Sequence, residues 1–87
     1  MNGDTTPNVS GASVLSIAGG NLTITDLEEG ANGQVLTIHD QGGGGNVTVN
    51  DAAPFVLSGS WTSTDGDTLT VARLFTNTWV EVARSAN

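Results

Sequence analysis

The sequence offers two short groups of residues that could take part in chemistry. His39 and Asp40 are an adjacent base and carboxylate, and Asp65-Gly66-Asp67 places two carboxylates within three residues. A base and a carboxylate that activate a nucleophile together must share a hydrogen bond, whereas adjacent residues of a β-strand point to opposite faces. We therefore predict that His39 lies on the outward face of its strand, and that the protein has no catalytic residues and is not an enzyme.

Asp65 and Asp67 could instead contact a hard cation. Calcium takes about six to eight oxygen ligands, so two carboxylates are too few within one chain, and Asp-Gly between two strands is typical of a hairpin turn. Ion binding stays open only if a three-fold axis brings copies of these aspartates together. The four glycines at 42–45 are followed by no lysine and no helix, so they predict a flexible loop and not a phosphate-binding loop.

The composition excludes several classes of protein. The 87 residues include nine acidic and two basic side chains, a net charge of −7, with no cysteine and one histidine. Thiolate and multi-histidine metal sites are thereby excluded, and we expect no cofactor. Two arginines cannot neutralise a run of phosphates, so neither nucleic acid nor an anionic membrane is an expected partner. No run approaches the roughly 18 apolar residues of a membrane span.

The length allows one small domain. A domain of this size buries only about 60% of the surface that its unfolded chain exposes. Small domains that lack disulfides and structural metals are commonly stabilised by association with other chains. The sequence therefore predicts an oligomer.

Short runs with alternating apolar residues predict an all-β fold. Glycine-rich or Asp- and Asn-rich turns separate the runs, and no window is long enough for a helix. We expect short antiparallel strands that form a small barrel, a β-prism or a β-helix-like unit, intertwined as a trimer. Similar tetrads that begin at Leu22, Leu36, Val47 and Leu69 fit rungs of a β-helix or strands of a prism, and fit a plain meander as well. The predicted strands are 13–17, 21–26, 34–40, 46–50, 55–58, 68–74 and 79–84.

The N-terminal residues 1–11 are predicted to be an extended arm, followed by a single β-rich domain at 12–87. The arm has few apolar side chains, so we expect it to become ordered only on a partner. The attachment residues would be Thr5, Thr6, Pro7 and Val9, because Thr-Thr-Pro favours an extended chain that can add to the edge of a sheet.

Packing is the role predicted for most of the large apolar residues. With only Phe55, Trp61, Phe75 and Trp79 as aromatic residues, core or interface packing is favoured over an exposed platform for a ligand. Alternation in the last two strands predicts that Leu69, Val71, Val80 and Val82 face inward. The residues expected in the oligomer core or interface are Phe55, Leu57, Leu69, Val71, Trp79, Val80 and Val82.

Two segments resemble a known family. The run Asp67-Thr-Leu-Thr-Val and the closing pattern Trp79-x-Glu-Val-x-Arg84-Ser, within a match over about residues 12–85, resemble a β-rich module at the ends of tailed-bacteriophage tailspike and tail-fibre proteins. The resemblance implies three chains wound into a β-prism or triple β-helix without a catalytic site. Similar small folds serve as trimeric decoration, or cement, proteins on phage capsids. Val80, where the family often has Tyr, and the loop at 42–45 depart from the pattern.

The resemblance and the composition together predict a non-enzymatic structural protein of a tailed-bacteriophage virion. If the 87 residues are a whole gene product, the favoured function is a homotrimeric decoration protein on the capsid exterior that stabilises the head shell. Its partners would be the major capsid protein or other virion proteins. The alternative is a trimerisation module, or a receptor- or glycan-binding module, of a tail fibre or tailspike.

Overall fold

The structure is a computed structural model that describes residues 5–18, 20–75 and 77–85. These residues form eight β-strands, and none of them forms a helix that could cross a membrane. The strands are β1 (Val14–Ala18), β2 (Leu22–Ile24), β3 (Val35–Gly42), β4 (Val47–Val49), β5 (Phe55–Val56), β6 (Trp61–Thr62), β7 (Thr68–Phe75) and β8 (Thr78–Ser85).

The predicted all-β class is confirmed, and the strands form two sheets. A five-stranded sheet has the order β1-β3-β7-β8-β5, and a three-stranded sheet has the order β2-β4-β6. Each of the seven predicted runs overlaps an observed strand. The two-residue strand β6 was not predicted, because a segment so short shows no alternation that a sequence pattern could reveal.

The sheets are mixed, whereas the sequence predicted antiparallel strands. Strand β1 pairs with β3, β2 with β4, and β5 with β8, all in parallel, whereas the β3–β7, β4–β6 and β7–β8 pairs are antiparallel. Parallel neighbours need a crossover, and here the chain supplies it by alternating between the two sheets from β1 to β6. The first four strands therefore wind as in a β-helix, and the described residues do not close a barrel.

Two of the sequence tetrads stack directly on one another. Leu22 lies beside Val47 and Ile24 beside Val49 in the parallel β2–β4 pair. The other two tetrads meet in the antiparallel β3–β7 pair, where Leu36 lies opposite Val71. The four similar tetrads are therefore two pairs of neighbouring strands, and in each pair both strands present apolar side chains to the core.

Apolar side chains from both sheets form one core. Leu36, Ile38, Val49, Leu69 and Trp79 are among its fully buried members. Among the residues predicted to pack in the core or interface, Phe55, Leu57, Leu69, Val71 and Trp79 are buried. Burial of these five follows the alternation of their strands, since each occupies an inward position.

Residues 5–11 of the predicted arm are folded onto their own domain, so the expectation that they need a partner to become ordered is wrong. Val9 is only 1% exposed and belongs to the core. Its amide donates to the Glu28 carbonyl at 2.8 Å, and the Pro7 and Thr5 carbonyls accept from the Glu28 and Thr25 amides at 2.9 and 2.8 Å.

The arm was predicted to add to a strand edge of a partner, but it lies beside an extended segment of its own chain that is not part of a strand. Thr5, Thr6, Pro7 and Val9 run beside the segment that follows β2, and Asn8 forms an isolated parallel bridge with Glu28. The small number of apolar residues in the arm did not predict this contact. One buried valine is enough to hold the segment in place, because its main chain is also hydrogen-bonded. Residues 1–4 of the arm lie outside the described residues.

Val80 and Val82 do not face inward, which corrects the prediction for β8. Trp79 occupies the inward position, so its neighbour Val80 is on the opposite face and only half-buried. The β7–β8 register shifts by one residue at Val82, since Thr70 is opposite Ala83 and Val71 is opposite Glu81. Val82 at this bulge is 61% exposed. The inward positions of β8 therefore differ from those that simple alternation of valines predicted.

Candidate functional site

The most distinctive surface is the side of the five-stranded sheet that faces away from the core. Four apolar residues lie side by side there, each on a different strand. Val35 on β3 is opposite Ala72 on β7, Ala72 is opposite Val80 on β8, and Val80 is beside Val56 on β5. Val35 and Val56 at the two ends of this row are each 52% exposed.

Further exposed apolar side chains extend the row. Val14 lies beside Thr37, and Val82 lines a shallow groove with Val56 and Val80. Leu74, two residues after Ala72 at a register shift of β7, is 57% exposed. We name this surface the apolar face. It comprises Val14, Val35, Val56, Ala72, Leu74, Val80 and Val82.

The apolar face is almost free of charge, although the chain is strongly acidic. The outward positions of β1, β3, β5 and β7 contain no Asp, Glu or Arg. The described acidic residues lie in loops or point toward the core, and Glu81 is at the margin of the groove. Soluble proteins rarely expose a continuous apolar surface unless it contacts another molecule.

The polar groups on the same side of the sheet are largely bonded to each other. The hydroxyls of Thr37 and Thr70 are 3.1 Å apart across β3 and β7. Ser16 Oγ lies 3.4 Å from His39 Nδ1 across β1 and β3, so His39 is on the outward face as predicted. These pairs leave few groups that would require water if the face were covered.

Asp40 points into the protein, away from His39, and binds the two sheets together. It is 3% exposed, and its Oδ2 accepts from the Ser63 hydroxyl at 2.6 Å while its Oδ1 accepts from the Gly42 amide at 2.9 Å. Ser63 Oγ in turn accepts from the Val47 amide at 2.8 Å. In the sequence Asp40 was considered only because it is adjacent to His39. The alternation of apolar residues along a strand cannot predict that Asp40 is hydrogen-bonded to Ser63 and Gly42.

Asp67 closes the turn before β7. Its Oδ2 accepts from the Thr64 amide at 2.8 Å and from the Thr64 hydroxyl at 3.1 Å, and its carbonyl accepts from the Asp40 amide. A turn at Asp65-Gly66 was predicted, but it is not the expected hairpin turn, because β6 before it and β7 after it lie in different sheets. No group of three or more His, Cys, Asp or Glu residues in the described part of the chain could hold a metal ion. An ion at a symmetry axis, held by Asp65 or Asp67, stays a prediction.

The glycine loop at 42–45 depends on its glycines for its shape. All four residues have positive φ, a conformation that other residues rarely adopt. A Cβ on Gly45 would also collide with the main chain of Gly20. The backbone between β3 and β4 therefore has a shape that requires glycine.

An ion pair fixes the edge of the apolar face. Arg84 Nε and Nη2 donate to the two carboxylate oxygens of Glu81 at 2.8 Å, and Nη2 also donates to the Gly59 carbonyl at 2.7 Å. Glu81 Oε1 accepts from the Ser58 amide and hydroxyl. The hydrogen bonds from Arg84, with smaller contributions from Ser58, lower the pKa of Glu81 from 4.5 to about 2.

This lowered pKa predicts a pH dependence of stability. Since the folded state favours the ionised carboxylate, the stabilisation is complete above the unfolded pKa of 4.5 and is lost as the pH falls toward about 2. Its size is at most about 1 kcal/mol, because Arg84 is open to solvent. In urea unfolding, the stability difference between the wild type and Glu81→Gln should shrink between these two pH values. A constant difference would contradict the assignment.

Two other clefts are polar. The outer side of the three-stranded sheet has Thr23, Thr48 and Thr62 in register, flanked by Asn21 and Asn46. The hydroxyls of these three threonines have no hydrogen-bond partner among the described residues.

The second polar cleft, of about 410 Å³, is near the end of the five-stranded sheet. It contains Asp26, Glu28 and Glu29 together with Arg73 and Asn77.

Comparison with known proteins finds no match: no protein-family model, curated protein or solved structure is significantly similar to the chain. The fold and its surfaces are therefore the basis for the function proposed below, together with the sequence resemblance.

Proposed function

We propose that this chain is a non-enzymatic structural protein of a tailed-bacteriophage virion, a homotrimer that decorates the capsid exterior and stabilises the head shell. The observation that supports it best is the apolar face, since an exposed apolar surface on a small acidic domain indicates assembly with other chains. The sequence resemblance to phage tail and decoration modules supplies the biological setting.

The site geometry fits a structural function. Asp40 and Asp67, two of the residues most suited to chemistry, are buried and bonded within the fold. His39, on the outer side of β3, contacts a serine hydroxyl. A decoration protein needs only rigid surfaces that match its neighbours, and this arrangement supplies rigidity rather than a reactive group.

A tail location is the second candidate, and two observations favour it. Residues 5–11 are bound to their own domain, so fewer residues of the proposed arm are left to contact a capsid. The threonine and asparagine side chains on the outer side of the three-stranded sheet are hydroxyl and amide groups of the kind that orient polar ligands such as glycans. A module at a tail fibre or tailspike would use that surface.

Electron microscopy of purified virions labelled with an antibody against this protein tests both candidates. We expect label over the whole capsid surface, at many copies per particle. Label confined to the tail would replace the capsid assignment with the tail module. Particles that contain the protein at no position would overturn the proposed function as a whole.

A further inference from the structure

We infer that the apolar face is the surface through which copies of this chain associate, with a second copy of the chain covering the row from Val35 to Val56. The inference deepens the proposed function, on which it rests for the expected number of three chains. It goes beyond that function by assigning the contact to one surface and by naming the residues at its centre.

The composition of the face favours its burial. The row joins four strands, with Ala72 buried and Val80 half-buried at its centre and Val35 and Val56 exposed at its ends. Covering the exposed valines and Leu74 removes apolar area from water at a gain of about 25 cal/mol for each Å². The hydroxyls of Thr37 and Thr70 share one hydrogen bond within the sheet, so covering them leaves one donor and one acceptor of this pair satisfied.

The distribution of charge indicates that the occupant is another copy rather than a different partner. Two chains of net charge −7 repel each other, and like charges that face one another across a contact oppose association strongly. This chain keeps its carboxylates away from the row, and it neutralises Glu81 at the margin with Arg84. A surface that bound a basic partner would carry carboxylates. The apolar face carries none, so it matches the equally uncharged face of a second copy.

The size of the face is sufficient for a specific contact. The five strands comprise 31 residues. With a rise of about 3.3 Å along each strand and about 4.8 Å between strands, they span about 500 Å² of sheet. If two copies cover this side of the whole sheet, they bury about 1,000 Å² in total, which is the lower bound for a biological interface.

Sedimentation of three variants tests the inference. Val35→Glu and Val56→Glu place a carboxylate at either end of the row, at positions exposed enough for the monomer to fold. Thr23→Glu is the matched control, because it adds the same charge to an exposed position on the outer side of the three-stranded sheet. Circular dichroism would establish that each variant remains folded.

We expect the wild type and Thr23→Glu to associate at micromolar concentration. For Val35→Glu and Val56→Glu the dissociation constant should rise about 100-fold or more, because a carboxylate would be buried without a partner. A monomeric wild type, or equal association of all variants, would overturn the inference. A wild-type dimer that both row variants dissociate would support the surface and contradict the trimer. Virion labelling is measured separately, so each proposal can fail alone.

Discussion

Replacing Trp79 with alanine is expected to lower the free energy of unfolding by about 3–5 kcal/mol. The indole is 0% exposed, and it packs so closely below the loop after β2 that a Cβ on Gly30 would lie 2.5 Å from its Cζ2 atom. Removing it leaves a cavity that its neighbours Phe55 and Arg73, which lie beside it in the sheet, cannot refill. Chemical denaturation followed by circular dichroism, at one fixed protein concentration, measures the loss.

Two further variants separate the packing of Trp79 from other effects. The indole Nε1 has no hydrogen-bond partner among the described residues, so Trp79→Phe loses volume without losing a hydrogen bond. Its cost should be less than half of the alanine cost. Phe75→Ala removes an aromatic ring that is 60% exposed and should change stability by about 0.5 kcal/mol or less. A Trp79→Ala variant as stable as Phe75→Ala would contradict the burial.

The second large effect is expected for Asp40→Ala, which should cost about 3 kcal/mol. The carboxylate bonds the Ser63 hydroxyl at 2.6 Å and the Gly42 amide at 2.9 Å, and Ser63 is 0% exposed. After truncation, the hydroxyl donor is left in a site that water does not reach. Urea unfolding at neutral pH measures the loss.

A double-mutant cycle with Ser63→Ala tests whether Asp40 acts through this contact. We expect a coupling of about 1–3 kcal/mol between the two positions, since each variant alone leaves the other group unsatisfied. Asp65→Ala is the control, because it removes an exposed carboxylate from the turn before β7. It should leave stability within about 0.5 kcal/mol of the wild type. Additive effects of the Asp40 and Ser63 variants would show that the hydrogen bond contributes little.

The exposed apolar face follows from the period of the strands. A β-strand presents alternate residues to opposite sides, so a sheet packed on one side has an apolar outer side only if its sequence places apolar residues at successive positions. Val35-Leu36 on β3 and Trp79-Val80 on β8 are such positions. Val35 and Val80 are the outward residues of these pairs, and either protein or water must cover them. Coverage by protein is the basis of the association that we propose.

Local patterns determined the strand positions and much of the core. Leu36 and Ile38 are buried because they alternate with Thr37 and His39, and the same reasoning places Leu69 and Val71 inward. Asp-Gly at 65–66 predicted a turn, for which Gly66 supplies the positive φ, although the turn joins two sheets and is not the expected hairpin. Each of these features depends on residues within a few positions of each other, so the sequence alone was sufficient for them.

Only the tertiary structure decided which segments meet. The parallel pairing of β1 with β3, the inward position of Trp79 that leaves Val80 and Val82 outward, and the docking of Val9 beside Glu28 depend on residues up to tens of positions apart. The hydrogen bond between Asp40 and Ser63 spans 23 positions and joins two sheets. An alternating pattern indicates that one face of a strand is buried. Which segment covers that face depends on how all eight strands pack together.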